Sequence, residues 1–249
     1  MNAGIVDTRG ARCALGRGEA VVLPNPAPLT FVVAATSPQA VNAAKGRPLD
    51  QAVALWTHGV RALTALDGAL DLHGRTVSVA GRLLSEERVT LLVPLRSTAH
   101  PPHWLRPASR DGWALLFGAR WAPLSPVLAG APILYVSSAN RTGHPPAASV
   151  AEAIAMFAAT PVLGAVVPDC AAERGRGAPR RATTTLRLHP DGRLELHRRG
   201  AQDLVHPDPE EYLDRIRAAY CSENGPEPFS GLSPRRRRSP RRGSSPPPG

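Results

Sequence analysis

YVSSANRTGHPPAAS, residues 135–149, carries an apolar strand into Ser137, Ser138 and Asn140, then passes Gly143 and two prolines on its way to a helix. Small hydroxyl and carboxamide side chains at a strand exit, with glycine nearby, serve one of two purposes. They approach a phosphate or ribose closely, or they simply make a turn. The helix that follows is marked by Ser149 as N-cap, by Glu152 three residues on to complete a capping box, and by Pro161 as its stop.

Outward from this stretch the pattern repeats in kind. Strand-like apolar runs fall at AVVL (20–23), LTFVVAA (29–35), TVSVAG (76–81), VTLLVPL (89–95), WALLFGA (113–119), LGAVVPD (163–169), TTTLRL (183–188) and RLELHR (193–198). Between them SPQAVNAAKG (37–46), GVRALTALDGAL (59–70) and SVAEAIAMFAAT (149–160) are spaced like helices. The alternation predicts an α/β domain with a mixed sheet. PDPEEYLDRIRAAY (207–220) has acids in its first turn and arginines later, the polarity a helix dipole favours, and reads as a closing helix.

At 249 residues and 43% hydrophobic content the chain can bury a core of its own. Cys13, Cys170 and Cys221 are too scattered for a disulfide framework or a metal-ligand spacing. The N-terminus has no apolar core of signal-peptide length. The uncharged stretch 20–44 is broken by Pro24, Pro26, Pro28 and Pro38, so no membrane span is expected and a cytoplasmic location is. The net charge of +10 owes six arginines to the last fifteen residues. That Pro/Ser/Arg tail cannot offset chain entropy by burial, and residues 222–249 are expected to be disordered. Such a tail either holds nucleic acid weakly through phosphates or merely solubilises.

One more stretch stands out. NAAKGRP (42–48) holds Lys45, the single lysine beside 29 arginines. A chain so biased toward arginine that keeps one lysine, next to glycine and two positions before Arg47, either needs a compact rotatable charge there or kept it by chance.

Together, KGR and the later SAN resemble the YrdC-like family of threonylcarbamoyl-adenylate synthases, whose signature is a K-x-R element followed by S-x-N. Downstream, VVPDCA resembles that family's strand ending in D-G-G, ATTTLRL its S-T-V-V-D-L strand, and LHRRGA its closing I-L-R-x-G-A. The likeness spans about residues 17–202 in order. It implies a single YrdC-like domain, with a twisted mixed sheet and flanking helices, over 17–202. Residues 1–16 would be an N-terminal extension and 203–221 a C-terminal helix.

The resemblance also implies chemistry: ATP, bicarbonate and an amino acid give a carbamoyl-type adenylate and pyrophosphate, an intermediate of threonylcarbamoyladenosine formation in tRNA. Lys45 and Arg47 would be catalytic, contacting the phosphates of ATP carried with Mg²⁺. Ser138, Asn140, Arg120, Thr183, Thr184 and Arg198 would bind the nucleotide. An ammonium with three donors can follow a moving phosphate oxygen, and fixed cations stabilise the departing pyrophosphate more than bound substrate.

The chain departs from the family pattern in its first half. Where the family has P-T-D-T-V-Y-G-L, shaping the threonine pocket, residues 24–31 read PNPAPLTF. EERVT (86–90) replaces a P-G-P-L-T loop, and Trp56 falls where a histidine is expected. These changes imply a degenerate amino-acid pocket whose acceptor is threonine, another amino acid or another amine. The alternative from a different class is a catalytically silent YrdC-like module that binds double-stranded RNA or tRNA.

Other residues invite functional readings beside ordinary ones. His100 and His103 in HPPH form a metal pair or a surface loop, and a zinc site needs three or four converging ligands. Trp56, Trp104, Trp113 and Trp121 stack bases or fill core. Asp169 binds metal or ribose or ends a strand, and ERGRGAPRR (173–181) reaches phosphates or is a solvated loop.

Overall fold

The computed structural model describes residues 4–66, 68–97, 101–118, 121–164 and 180–221. Strands and helices follow in the order β1 (Ile5–Val6), α1 (Thr8–Gly16), β2 (Val21–Leu23), β3 (Val32–Ala35), α2 (Pro38–Ala44), β4 (Ala54–Trp56), α3 (Val60–Thr64), α4 (Arg75–Arg82) and β5 (Thr90–Pro94). Then come β6 (Ser109–Arg110), β7 (Trp113–Phe117), α5 (Ser125–Leu128), β8 (Tyr135–Ser138), α6 (Val150–Met156), β9 (Val162–Leu163), β10 (Thr185–Leu188), β11 (Leu194–Arg198) and α7 (Pro209–Ile216).

The strands form one mixed sheet in the order β1-β9-β2-β3-β8-β4-β7-β5-β10-β11, with β6 beside β7. β4 lies parallel to β7 and β10 parallel to β5, while β8 runs antiparallel to both β3 and β4. The two signature stretches therefore meet at the centre. β8 ends at Ser138 beside β3, and β3 leads directly into α2, whose C-cap is Lys45.

Alternation along each strand sorts the side chains onto two faces. One face carries Val33, Leu55, Leu91, Val93, Leu116, Tyr135, Leu186 and Leu188, packed with Val41 of α2, Val79 and Ala80 of α4, Ala153 of α6 and Tyr212, Leu213 and Ile216 of α7. The other face is covered only in part. Ala11, Ala14 and Leu15 of α1 and Val127 and Leu128 of α5 pack on Val21, Leu23, Val32, Trp56 and Phe117. Toward β7, β5 and β10 no helix among the described residues lies over that same face, which opens as a cleft.

Several expectations from the sequence are corrected here. TVSVAG forms part of α4, not a strand. Its valines alternate, but Val79, Ala80, Leu83 and Leu84 are buried at helical spacing, while Val77 is 44% exposed. Residues 5–16 do not stand apart from the domain, since β1 pairs with β9 and Asp7 caps α1 by accepting from Gly10 N–H at 2.7 Å. α7 begins only at Pro209 and continues as a wider turn over Arg217–Cys221. β4 lies inside QAVALWTH, a segment whose central position no local pattern reveals.

α6 opens as expected: Ser149 Oγ accepts from Glu152 N–H at 3.2 Å, and the Glu152 carboxylate accepts from Ala148 N–H at 2.9 Å. It closes at Met156, before Pro161. Near the C-terminus, Glu87 accepts from the hydroxyls of Tyr212 and Tyr220 and from the Arg215 guanidinium, fastening the last helix to the turn after α4.

Candidate anion-binding cleft

The open part of the sheet face forms a cleft of about 360 Å³. Its floor is built from alternate strand residues, among them Val136 of β8, Ala54 of β4, Leu115 of β7 and Leu92 of β5. Polar groups gather at its rim. Arg47 enters from the turn after α2, Ser137 and Ser138 from the end of β8, Thr90 from β5, Thr183 from the approach to β10 and Arg198 from the end of β11. Arg110 adds a further guanidinium and His197 an imidazole, and no carboxylate is among the lining residues described.

Behind Ser138 lies a compact knot. The Lys45 ammonium donates to the Ser138 carbonyl and, at 2.9 Å, to Asn140 Oδ1, which also accepts from Ser138 Oγ at 2.6 Å. Lys45 is only 4% exposed and its acceptors are neutral. Burial first, then the neighbouring Arg47 charge, pushes the ammonium down to about 7. Arg47 is held by its Nε, which donates to Asn42 Oδ1 at 2.6 Å. One of its terminal nitrogens is buried with no partner. Burial lowers the pKa of both Arg47 and Arg198 from the ordinary arginine value.

A buried cation satisfied only by amide oxygens is poorly compensated, and an anion entering beside it recovers electrostatic energy that water no longer supplies. Arg47, half-buried, with Arg198 and the exposed Arg110, which is 3.4 Å from Asp111, on the same cleft therefore makes a candidate anion site. Metal ions fit differently. Among the described residues no group of three or more His, Cys, Asp or Glu could hold a metal ion, and the cleft offers a divalent cation only neutral oxygens.

Of the residues singled out from sequence, Arg47, Ser138, Thr183 and Arg198 line the one cleft, and Lys45 and Asn140 are bonded to each other directly behind it. Thr184 is different. It is fully buried, and its hydroxyl donates to Asp203 Oδ1 at 2.7 Å, on the far side of the strand from Thr183. Asp203 also accepts from Gly200 N–H and Arg199. Burial pushes that carboxyl up, but the hydrogen bonds from Arg199, Thr184 and Gly200 outweigh it and leave its pKa lowered. Thr184 thus anchors the backbone that presents Thr183. Gly200 is needed for the same contact, because a Cβ there would sit 2.2 Å from Thr184 N.

Arg120, His100 and Asp169 lie outside the described residues, as do the tail and most of the 173–181 loop. Arg180, from the end of that loop, donates to the carbonyls of Asn25 and Leu29 at 2.9 and 2.7 Å and lies over the Phe31 ring. It braces the 25–30 wall of the cleft. Within that wall Asn25 Nδ2 donates to Thr30 O, and Thr30 Oγ1 donates to Phe31 O.

Sequence reasoning missed Thr90, Arg110 and His197 as cleft residues. For Thr90 a signal existed: a threonine opening an otherwise aliphatic strand. Trp56 is core, Trp104 and Trp121 are partly buried against the two clusters, and Trp113 lines the cleft.

No protein-family model and no curated protein matches the sequence. Solved structures do. P. abyssi Sua5 complexed with L-threonine is similar with a TM-score of 0.58 and 16% identity over 86% of this chain and 59% of that one. E. coli YciO is similar with a TM-score of 0.56 and 11% identity over 81% of this chain and 96% of its own. Full-length HypF in a phosphate- and nucleotide-bound form is similar with a TM-score of 0.52 and 15% identity, over 80% of this chain and 30% of that one. The chain spans about three fifths of the Sua5 structure. It has the Sua5/YrdC-like fold.

Proposed function

We propose that this protein is a nucleotide-dependent acyl-adenylate synthase that uses ATP and bicarbonate to form a carbamoyl-type adenylate on an amine acceptor, as in threonylcarbamoyl-AMP synthesis for tRNA modification. The observation that carries the reading is convergence. Lys45 and Asn140, 95 residues apart, share a hydrogen bond at 2.9 Å behind a cleft whose rim holds Arg47, Ser138, Thr183 and Arg198 and, among the described residues, no acid.

In this reading the triphosphate lies along the arginine rim. Lys45 exchanges the neutral Ser138 carbonyl for a phosphate oxygen, a gain in charge complementarity that its flexible stem allows. As a carbamate oxygen attacks the α-phosphorus, negative charge moves onto pyrophosphate, where the guanidinium of Arg47 stabilises it more than it stabilises bound ATP. Because no described residue of the cleft contributes a carboxylate, Mg²⁺ would arrive bound to the phosphates and supply charge neutralisation there.

Pyrophosphate release by the full-length chain is expected to require both ATP and bicarbonate, to rise with the correct amine, and to be lost in Lys45→Ala. Undiminished release in that variant would remove the assignment.

The alternative is a silent module that binds double-stranded RNA or tRNA on the basic cleft. It is favoured by the 25–30 wall, where Asn25 Nδ2 and Thr30 Oγ1 both donate to backbone carbonyls. RNA binding that survives deletion of residues 232–249, with no pyrophosphate release under any amine, would favour it.

A further inference from the structure

We infer that Trp113 is a stacking platform for the base of the bound nucleotide, so that the cleft recognises an aromatic nucleoside and not only its phosphates. The inference rests on the nucleotide reading above and deepens it.

The sheet register places the residue. Tyr135, Leu55 and Leu116 lie in one row across β8, β4 and β7. Ser138 is three residues after Tyr135, Trp113 is three residues before Leu116, and β8 and β7 run in opposite directions. Both are therefore displaced by the same amount toward the same end of the sheet. An odd displacement also turns both away from the covered face and onto the cleft face. Two strand spacings separate them, about 10 Å, a span that a ribose bridges between a phosphate held near Ser138 and a base.

Between the two positions the cleft is lined by Ala52 and Ala54, the smallest side chains that keep a Cβ, so the space stays open. The indole is steadied from its other flank. On the β10 side, away from Ser138, Arg187 lies over the ring at 4.8 Å, and His189 meets it edge-on at 5.4 Å between centroids. Arg187 is in turn 3.7 Å from Glu195. A half-buried aromatic ring, braced on one side and lining a cationic cleft on the other, suits a flat π-system. Stacking of this kind tolerates any base, so it selects nucleotides as a class.

The test measures binding of Mg-ATP and of inorganic tripolyphosphate to the full-length wild type, Trp113→Phe and Trp113→Ala by calorimetry, with thermal melts to confirm folding. The expected result is about a tenfold loss of ATP affinity in Trp113→Ala, equivalent to about 1.4 kcal/mol, unchanged tripolyphosphate affinity, and near-wild-type behaviour of Trp113→Phe. Unchanged ATP affinity in Trp113→Ala, or equal losses for both ligands, would overturn the platform and leave the phosphate site standing. If the wild type binds neither ligand, the nucleotide reading falls and the platform with it. Single-stranded RNA binding tightly at Trp113 while ATP does not would likewise overturn it.

Discussion

One sheet has two faces here, and they were given different work. On β5, Leu91 and Val93 point under the helices and are fully buried, whereas Thr90 and Leu92, their immediate neighbours, line the cleft. β10 repeats the division, with Leu186 and Leu188 under the helices and Thr185 in the cleft. The covered face is almost wholly aliphatic and gets its free energy from removing apolar area from water. The open face keeps threonines, serines and arginines along a concave surface. A period of two along each strand puts adjacent residues in different environments, one under the helices and one in the cleft.

The largest expected effect separates the faces by stability. Leu91→Ala, in the covered face, should cost about 3 kcal/mol through lost transfer energy and a residual cavity. Leu92→Ala, on the cleft floor, should cost under about 1 kcal/mol, since solvent can reach the space it leaves. Chemical denaturation of both variants checks this, and similar losses would show that the cleft is not open.

A smaller effect separates them by binding. Arg198→Ala should leave the melting temperature nearly unchanged but weaken ATP about tenfold, the scale of one hydrogen bond to a charged group. Calorimetric titration beside a thermal melt reads both quantities. An Arg198→Ala protein that melts early and binds ATP normally would reverse the assignment of that side chain.

Near neutral pH the smallest effect is a proton. With Lys45 pushed down to about 7 in the ligand-free protein, mainly by burial, the ammonium is charged below that pH and neutral above it. A bound phosphate favours the charged form and returns the group toward its ordinary 10.5. ATP affinity should then be flat below about pH 7 and fall by at most tenfold per unit as pH rises above it, with a proton taken up on binding. Folding stability should respond in the opposite sense. Between about 7 and 10.5 the unfolded chain still binds the proton that the folded chain has lost, so this group makes stability rise with pH. Titrations in buffers of different ionisation enthalpy check the uptake, which Lys45→Ala should abolish.

Much of the candidate site was legible in the sequence, for particular reasons. A solitary lysine among arginines and a hydroxyl–carboxamide pair at a strand exit are chemical choices, visible without coordinates, and the two meet. The aliphatic runs at 89–95 and 113–119 became neighbouring central strands, and the strand entering Ser137 lies beyond β4, because buried strands need continuous apolar residues. TVSVAG was misread because three apolar residues in a run of six suit either period, and contact with the helical layer decided between them. Thr184 was misplaced for a subtler reason. In TTT every residue offers the same hydroxyl, and only strand alternation, fixed by pairing with β5, sends Thr183 to the cleft and Thr184 to Asp203.

The sequence by itself determined the α/β class, the caps of α6 and the identity of the cations, since these depend on short-range periodicity and on side-chain chemistry. Tertiary structure alone decided which face of the sheet stays uncovered, that Lys45 is buried against neutral acceptors, and that Trp113 shares a row with Ser138. Those facts arise from pairing between strands far apart in the chain, where a one-residue change of register would move every side chain to the opposite face.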